Sequence, residues 1–439
     1  MKPFSLAFLL TFVLGGISAH GATHNVPPGH SIQAAINASS SGDVIILYPD
    51  TYAEDLVING KALTMRPTSG TAQINSITIQ NAPTSSRFSS IRLLTDLNAS
   101  SPLILETVNV LRNVSVTDAD LQALRGTNVD GNVTVTKGGI RLIKSTVHGT
   151  VTMSHAKDDS NRELEAIIVQ STVKERLVCR ATRARICYSN FRDTYFEGNL
   201  EITQNVFDGR SNEYGSIGID LNGTATVAVV RNNRVWKFKK SYDTADMSDE
   251  CIGIRVTGGA KADIVNNLIY GCYDYQSAGA EPRCGMGVFV QSTSGTKILG
   301  NIIWKCWSHD ASGDALVRAP NANVTMQYNL LYDSGGGDTT RGGVINRDGI
   351  YANPNSVFLH QYENWHLKAS SPAIDKGPPD ARYNDHDGTR NDIGMYGGHS
   401  YLINGRTTDK PIPIQLSTTP AFVPVGGTVT IESTGATVK

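Results

Sequence analysis

The stretch IVNNLIYGC at 264–272 and the stretch ILGNIIWKC at 298–306 match position for position: Ile, two residues, Asn, an apolar pair, an aromatic, one residue more, and Cys. Their asparagines, Asn267 and Asn301, stand 34 residues apart. A shorter core of the pattern is apolar, any, any, Asn or Ser, any, apolar. It recurs as Leu142…Ser145…Val147, Ile168…Ser171…Val173, Ile186…Ser189…Phe191, Ile202…Asn205…Phe207, Val230…Asn233…Val235 and Met326…Asn329…Leu331. The eight copies are spaced by 26, 18, 16, 28, 34, 34 and 28 residues. A helical repeat usually holds its period. A fixed short core with variable intervals instead describes constant strands joined by loops of unequal length.

A solenoid of parallel strands satisfies this pattern. Each strand pairs with its copy one coil on, about 4.8 Å away, and the apolar positions stack inside. The corner asparagines stack on one another, and Asn tolerates the left-handed backbone of a tight corner. Asn267 and Asn301 are therefore expected to be structural. Composition agrees: 18% charged residues and 42 glycines suit an all-β chain rich in turns.

The ends and the bulk numbers bound the rest. Lys2, the nearly all-apolar run 4–14 and small residues at 19 and 21 predict a secretory signal peptide at 1–21. That run is too short to span a membrane, so a secreted, periplasmic or cell-surface protein is expected. A net charge of −1 gives no reason to expect a nucleic-acid partner. Ser31 reads as the N-cap of a short helix over 31–36, and DVIILYP at 43–49 as a buried strand. Further coils are expected through 57–140.

With these features the chain resembles the right-handed parallel β-helix proteins of the pectate-lyase-like superfamily, over about residues 25–365. The helix at 31–36 would then cap the open end of the core. The domain reading is a β-helix at 22–365, a closing module at 366–410 and a hairpin or truncated sandwich at 411–439. The closing module resembles one that follows many secreted bacterial β-helices, through SPAIDKG at 371–377 and NDHDGTRNDIGMYGG at 384–398. An EF-hand reading of Asp385-x-Asp387-Gly388 fails, because loop positions one and twelve would be Tyr383 and Gly394. His386 faintly resembles the motif of alginate epimerases, but it lies beyond the coils.

Alternation along 216–221, 251–256 and 285–290 predicts that Ile219, Ile254 and Val288 face inward with their i±2 neighbours. It places Gly218, Gly253 and Gly287 outward in one column, as a groove floor or as room for a return loop. Asp220, Arg255 and Phe289 form the next outward column. In β-helix polysaccharide lyases, as the resemblance implies, an Arg or Lys on this sheet takes the proton beside a uronate carboxylate, and acidic residues nearby hold Ca²⁺. The expected catalytic residues are Arg255, Asp220 and Glu250. Asp246, Asp249 and Glu250 are the expected Ca²⁺ ligands. Substrate contacts are expected from the three glycines, Phe289, His309, Arg176 and Arg180. The last two belong to a cationic cluster with Lys174, Arg183, Arg185 and Arg192. A second cluster, Arg231, Arg234, Lys237, Lys239 and Lys240, lies farther on. Such patches suit an anionic polymer.

Trp236, Tyr270, Trp304 and Tyr332 follow Asp208 in an aromatic column, which is either a sugar platform or packing under a loop. Of six cysteines, Cys272 with Cys306, Cys251 with Cys284 and Cys179 with Cys187 are the pairs that register suggests. No CxxC is present, which argues against a zinc ribbon. The expected function is β-eliminative cleavage of an acidic, uronate-containing polysaccharide by a monomer. The alternative is a non-catalytic carbohydrate-binding or surface solenoid. Polygalacturonase-type hydrolysis is disfavoured, since the chain has no NTD or GHG motif.

Overall fold

The computed structural model describes residues 21–210, 217–240, 251–274, 285–291, 295–308, 315–320, 324–332, 338–341, 346–360, 364–385, 388–398, 408–419 and 430–438. Parallel pairing dominates. Each coil contributes strands to three lines, and each strand pairs with its counterpart one coil on, giving one 36-stranded sheet. The solenoid is a right-handed parallel β-helix, the hand that crossovers between parallel strands almost always take. Leu142, Ile168, Ile186, Ile202, Val230, Ile264, Ile298 and Met326 are successive Cα partners, so the eight sequence copies stack in unbroken register.

The ladder beside this line is a buried hydrogen-bond chain. Asn267 Nδ2 donates to Val230 O at 2.9 Å, Val265 O at 3.1 Å and Asn301 Oδ1 at 2.9 Å. Its Oδ1 accepts from the backbone N and the Nδ2 of Asn233, each at 3.0 Å. Asn205, Asn233, Asn301 and Asn329 repeat the scheme. Upstream, smaller hydroxyls do part of the work: Ser145 N donates to Ser171 Oγ, and Ser171 N to Ser189 Oγ. The left-handed corner falls on the residue before the ladder. Gln170, Tyr188, Gln204, Asn232, Asn266, Gly300 and Tyr328 all have φ between 51° and 63°. The ladder asparagines are thus selected for their amides rather than for backbone freedom.

The N-terminal cap forms as expected. The helix Ile32–Ala38 starts at Ser31, whose hydroxyl accepts from Ala34 N. Glu54, on the strand Thr51–Asn59, accepts from Ile32 N and Gln33 N and ties the helix to the second coil. Ile32 and Ile36 close the core end. Continuous coils occupy the interval through residue 140. The described residues of 354–398 pack on the side of the solenoid. Thr408–Thr419 and Thr430–Val438 form an antiparallel pair. Among the described residues no helix is long and apolar enough to cross a membrane. The signal-peptide reading lies outside the described residues.

Candidate functional site

The glycine column faces the other way from its expected direction. Gly218, Gly253 and Gly287 are all buried. A Cβ on Gly253 would lie 2.7 Å from the Ile269 side chain and 3.3 Å from Cys272 Sγ, both core groups. On Gly287 it would meet Ile303 at 2.5 Å and Cys306 Sγ at 3.4 Å. Strict alternation fails because the strands bend here. Partners run Ile252 to Met286 and then Ile254 to Val288, skipping the glycines. Leu316, opposite Gly287 one coil later, points into the core, whereas Ile252 and Met286 are buried outside the main core cluster.

This geometry explains the closing Cys of the repeated stretches. Phe238, Cys272 and Cys306 fill the interior space above Gly218, Gly253 and Gly287 respectively. The glycines are a packing device, not a groove floor. Gly253→Ala is expected to cost about 2 kcal/mol, an overpacking penalty, since its Cβ would also stand 2.6 Å from Gly287 O. Denaturant melts would show it as a lowered midpoint.

No disulfide joins the described cysteines. Cys179 lies in the main core and Cys187 in a separate cluster with Ile167, Val169 and Tyr188, so these two face different interiors. Burial pushes both thiols up to about 12. Cys272 and Cys306 are stacked over the glycines, with Cys306 Sγ donating to Trp304 O at 3.4 Å. Cys284 lies outside the described residues.

The aromatic column exists in register, Asp208 to Trp236 to Tyr270 to Trp304 to Tyr332. It is not an open platform. Trp365 packs on Trp236, Tyr270 and Trp304 with centroids 5.1–6.3 Å away. Val357, Phe358 and Ile393 complete this second core. Asn232 Nδ2 donates to Met395 O and Gly397 O, and Asn266 Nδ2 to Asn391 Oδ1 and Asp392 O, which fixes the covering segment to the corner column. Asp385 accepts from Asp392 N and Gly398 N, so the Asp385 turn is part of a closing network. His386 and Asp387 lie outside the described residues.

The first cationic cluster is largely neutralised in register. Arg176 faces Asp193, Arg180 faces Glu197 and Arg185 faces Glu201 on the next coil. Arg185 reaches Glu201 at 2.8 Å and Arg180 reaches Glu197 at 3.4 Å. Arg183 lies 4.0 Å from Glu163. Composition alone hides these partners, because the acids sit on other coils. Tyr195 Oη donates to Glu197 and lies under the Arg180 guanidinium.

On the outer face of the neighbouring line the expected column forms: Tyr195, Asp220, Arg255, Phe289 and Arg318 are successive partners. Arg255 chelates Asp220, Nε to Oδ1 at 2.9 Å and Nη2 to Oδ2 at 2.8 Å. Asp220 is 2% exposed and the Arg255 side chain 26%. Asp193, absent from the sequence-level candidates, joins this pair. Burial raises its carboxyl to about 6, the Asp220 charge adds to the rise, and Arg176, Arg192 and Arg255 oppose it. Arg176 Nε stands 3.6 Å from Asp193 Oδ2, and its side chain is half exposed. Two carboxylates and three guanidiniums therefore share one patch. Asp246, Asp249, Glu250 and His309 lie outside the described residues, and among the described residues no set of three His, Cys, Asp or Glu side chains could hold a metal ion.

No family model matches the chain, and no curated protein does. Among solved structures the chain is similar to pectate lyase Pel9A, at 12% identity and a TM-score of 0.32, over 86% of this chain and 96% of that one.

Proposed function

We propose that the patch at Arg176, Asp193, Asp220 and Arg255 binds an acidic polysaccharide and cleaves it by β-elimination. The supporting observation is Asp193, a partly exposed carboxyl raised to about 6 beside several cations. A group that titrates near the working pH is suited to proton transfer. Arg255 is committed to a buried carboxylate, so it serves as a charge partner and the base role passes to Asp193. Arg176 and Arg255 offset the charge of a uronate carboxylate, which makes the proton on the adjacent carbon removable. Ionised Asp193 takes that proton, the electron pair forms the carbon–carbon double bond, and the glycosidic oxygen leaves with its bonding pair and takes a proton from water. Ca²⁺ is the cation that Asp246, Asp249 and Glu250 would supply to the same carboxylate under this reading.

The secreted chain is incubated with polygalacturonate and alginate, with and without Ca²⁺, and unsaturated product is followed by ultraviolet absorbance. Wild type is expected to release product at a kcat/KM that rises with pH through about 6, and Asp193→Asn to lose roughly a hundredfold or more of it. Absence of product from every uronate polymer would sink the lyase reading and favour the alternative, a solenoid with a binding or structural role.

A further inference from the structure

The second cationic cluster differs from the first in holding a guanidinium that bonds to nothing described. From Val206 onward, the part of the column through Arg234 that lies under the closing segment runs Val206, Arg234, Leu268, Ile302, Leu330 and Ile350. The other five of these residues are apolar, and they belong to or pack on the core under the closing segment. The Arg234 guanidinium donates no hydrogen bond to a described residue, and its Nε is buried without a partner. The indole N–H of Trp236 is likewise buried and unpartnered, in a side chain 7% exposed. A buried polar donor is ordinarily hydrogen-bonded, and one left unpaired is costly.

Among the described residues the surroundings do not supply the missing acceptor. Asp208 is the nearby carboxylate, and Arg210 already chelates it through Nε and Nη2, the latter at 2.6 Å. Three cations crowd Trp236: Arg210 at 4.5 Å, Arg234 at 4.6 Å and Lys237 at 4.9 Å from the ring centroid. Burial pulls the Arg234 guanidinium below arginine's ordinary range, with Asp208 and Tyr396 opposing and Arg210 adding to the fall. The cation–π contacts account for the orientation of Arg234 but leave its Nε unmet.

We propose that Arg234, with Arg210 and Trp236, binds an oxyanion at the edge where the closing segment meets the coils. The ligand is a sugar carboxylate or an inorganic phosphate, both of which match the planar fork of an arginine. The site is separate from the patch at Asp193 and does not depend on its chemistry.

Thermal unfolding of the full chain tests this at constant ionic strength, with sodium chloride, sodium phosphate or sodium galacturonate. A ligand that binds the native state raises Tm by mass action. Wild type is expected to gain about 2 °C or more from one of the two oxyanions near saturation, relative to chloride. Arg234→Gln is expected to abolish the gain, and Trp236→Phe to reduce it while keeping the ring. Both variants are first checked for native circular dichroism, with Arg234→Lys as a second probe that keeps the charge and loses the fork. A response to galacturonate alone identifies a sugar carboxylate, and one to phosphate alone a phosphate. A wild-type Tm no higher in either oxyanion than in chloride overturns the proposal. So does a gain that persists unchanged in Arg234→Gln.

Discussion

Replacing Asn267 with alanine is expected to destabilise the solenoid by roughly 3 kcal/mol or more, because several buried partners lose their hydrogen bonds together. Asn267 is fully buried. Its removal strips the donor from Val230 O and the acceptor from the backbone N of Asn233, and it breaks the amide chain between Asn233 and Asn301. The substitution Asn267→Ser is expected to cost clearly less, since Ser145, Ser171 and Ser189 hold the same place upstream with a hydroxyl. Asn267→Asp should be the worst of the three. The amide nitrogen now donates to three oxygens, and the carboxylate oxygen that replaced it would face acceptors only, while the other oxygen kept its donors on Asn233. Urea or guanidinium melts of the three variants rank them. An order with alanine no worse than serine would show that steric fit, not the amide chain, holds the ladder.

The second large effect is asymmetric. Arg255→Ala is expected to cost roughly 3–5 kcal/mol, the penalty for stranding one member of a buried ion pair. The stranded group is Asp220, at 2% exposure. Asp220→Ala should cost markedly less, because the Arg255 side chain is already 26% exposed and can turn its guanidinium to water. The double variant should recover part of the Arg255→Ala loss, since it strands no charge. A double-mutant cycle of thermal midpoints measures this directly. Equal losses from the two single variants would mean that Asp220 is reached by water. A pair this costly to break is suited to holding Arg255 in one orientation, as the proposed binding of a uronate carboxylate requires.

The architecture was legible because a β-helix writes its register into its strands. Each corner needs the same apolar and amide positions, so the interval between copies can drift from 16 to 34 residues while the core pattern stays fixed. The helical cap, the stacking of eight copies and the column Asp220–Arg255–Phe289 followed from that pattern and stand in the structure. The glycine column was read in the right place and on the wrong face. Alternation assumes a straight strand, and these strands bend at Gly253 and Gly287 so that the bare positions meet Cys272 and Cys306.

What the sequence determined by itself is local and periodic: strand, corner, ladder and the identity of the neighbour one coil away. What only the tertiary structure decided depends on segments that are distant along the chain. Trp365 covers the aromatic column from about a hundred residues away, and the acids opposite Arg176, Arg180 and Arg185 are visible only once the coils are stacked. The titration of Asp193 is of the same kind. Burial and the fields of Arg176, Asp220 and Arg255 set it, and these charges come from three coils besides its own. Short-range geometry is carried by residue type, whereas desolvation and charge are sums over neighbours that the chain brings together only by folding.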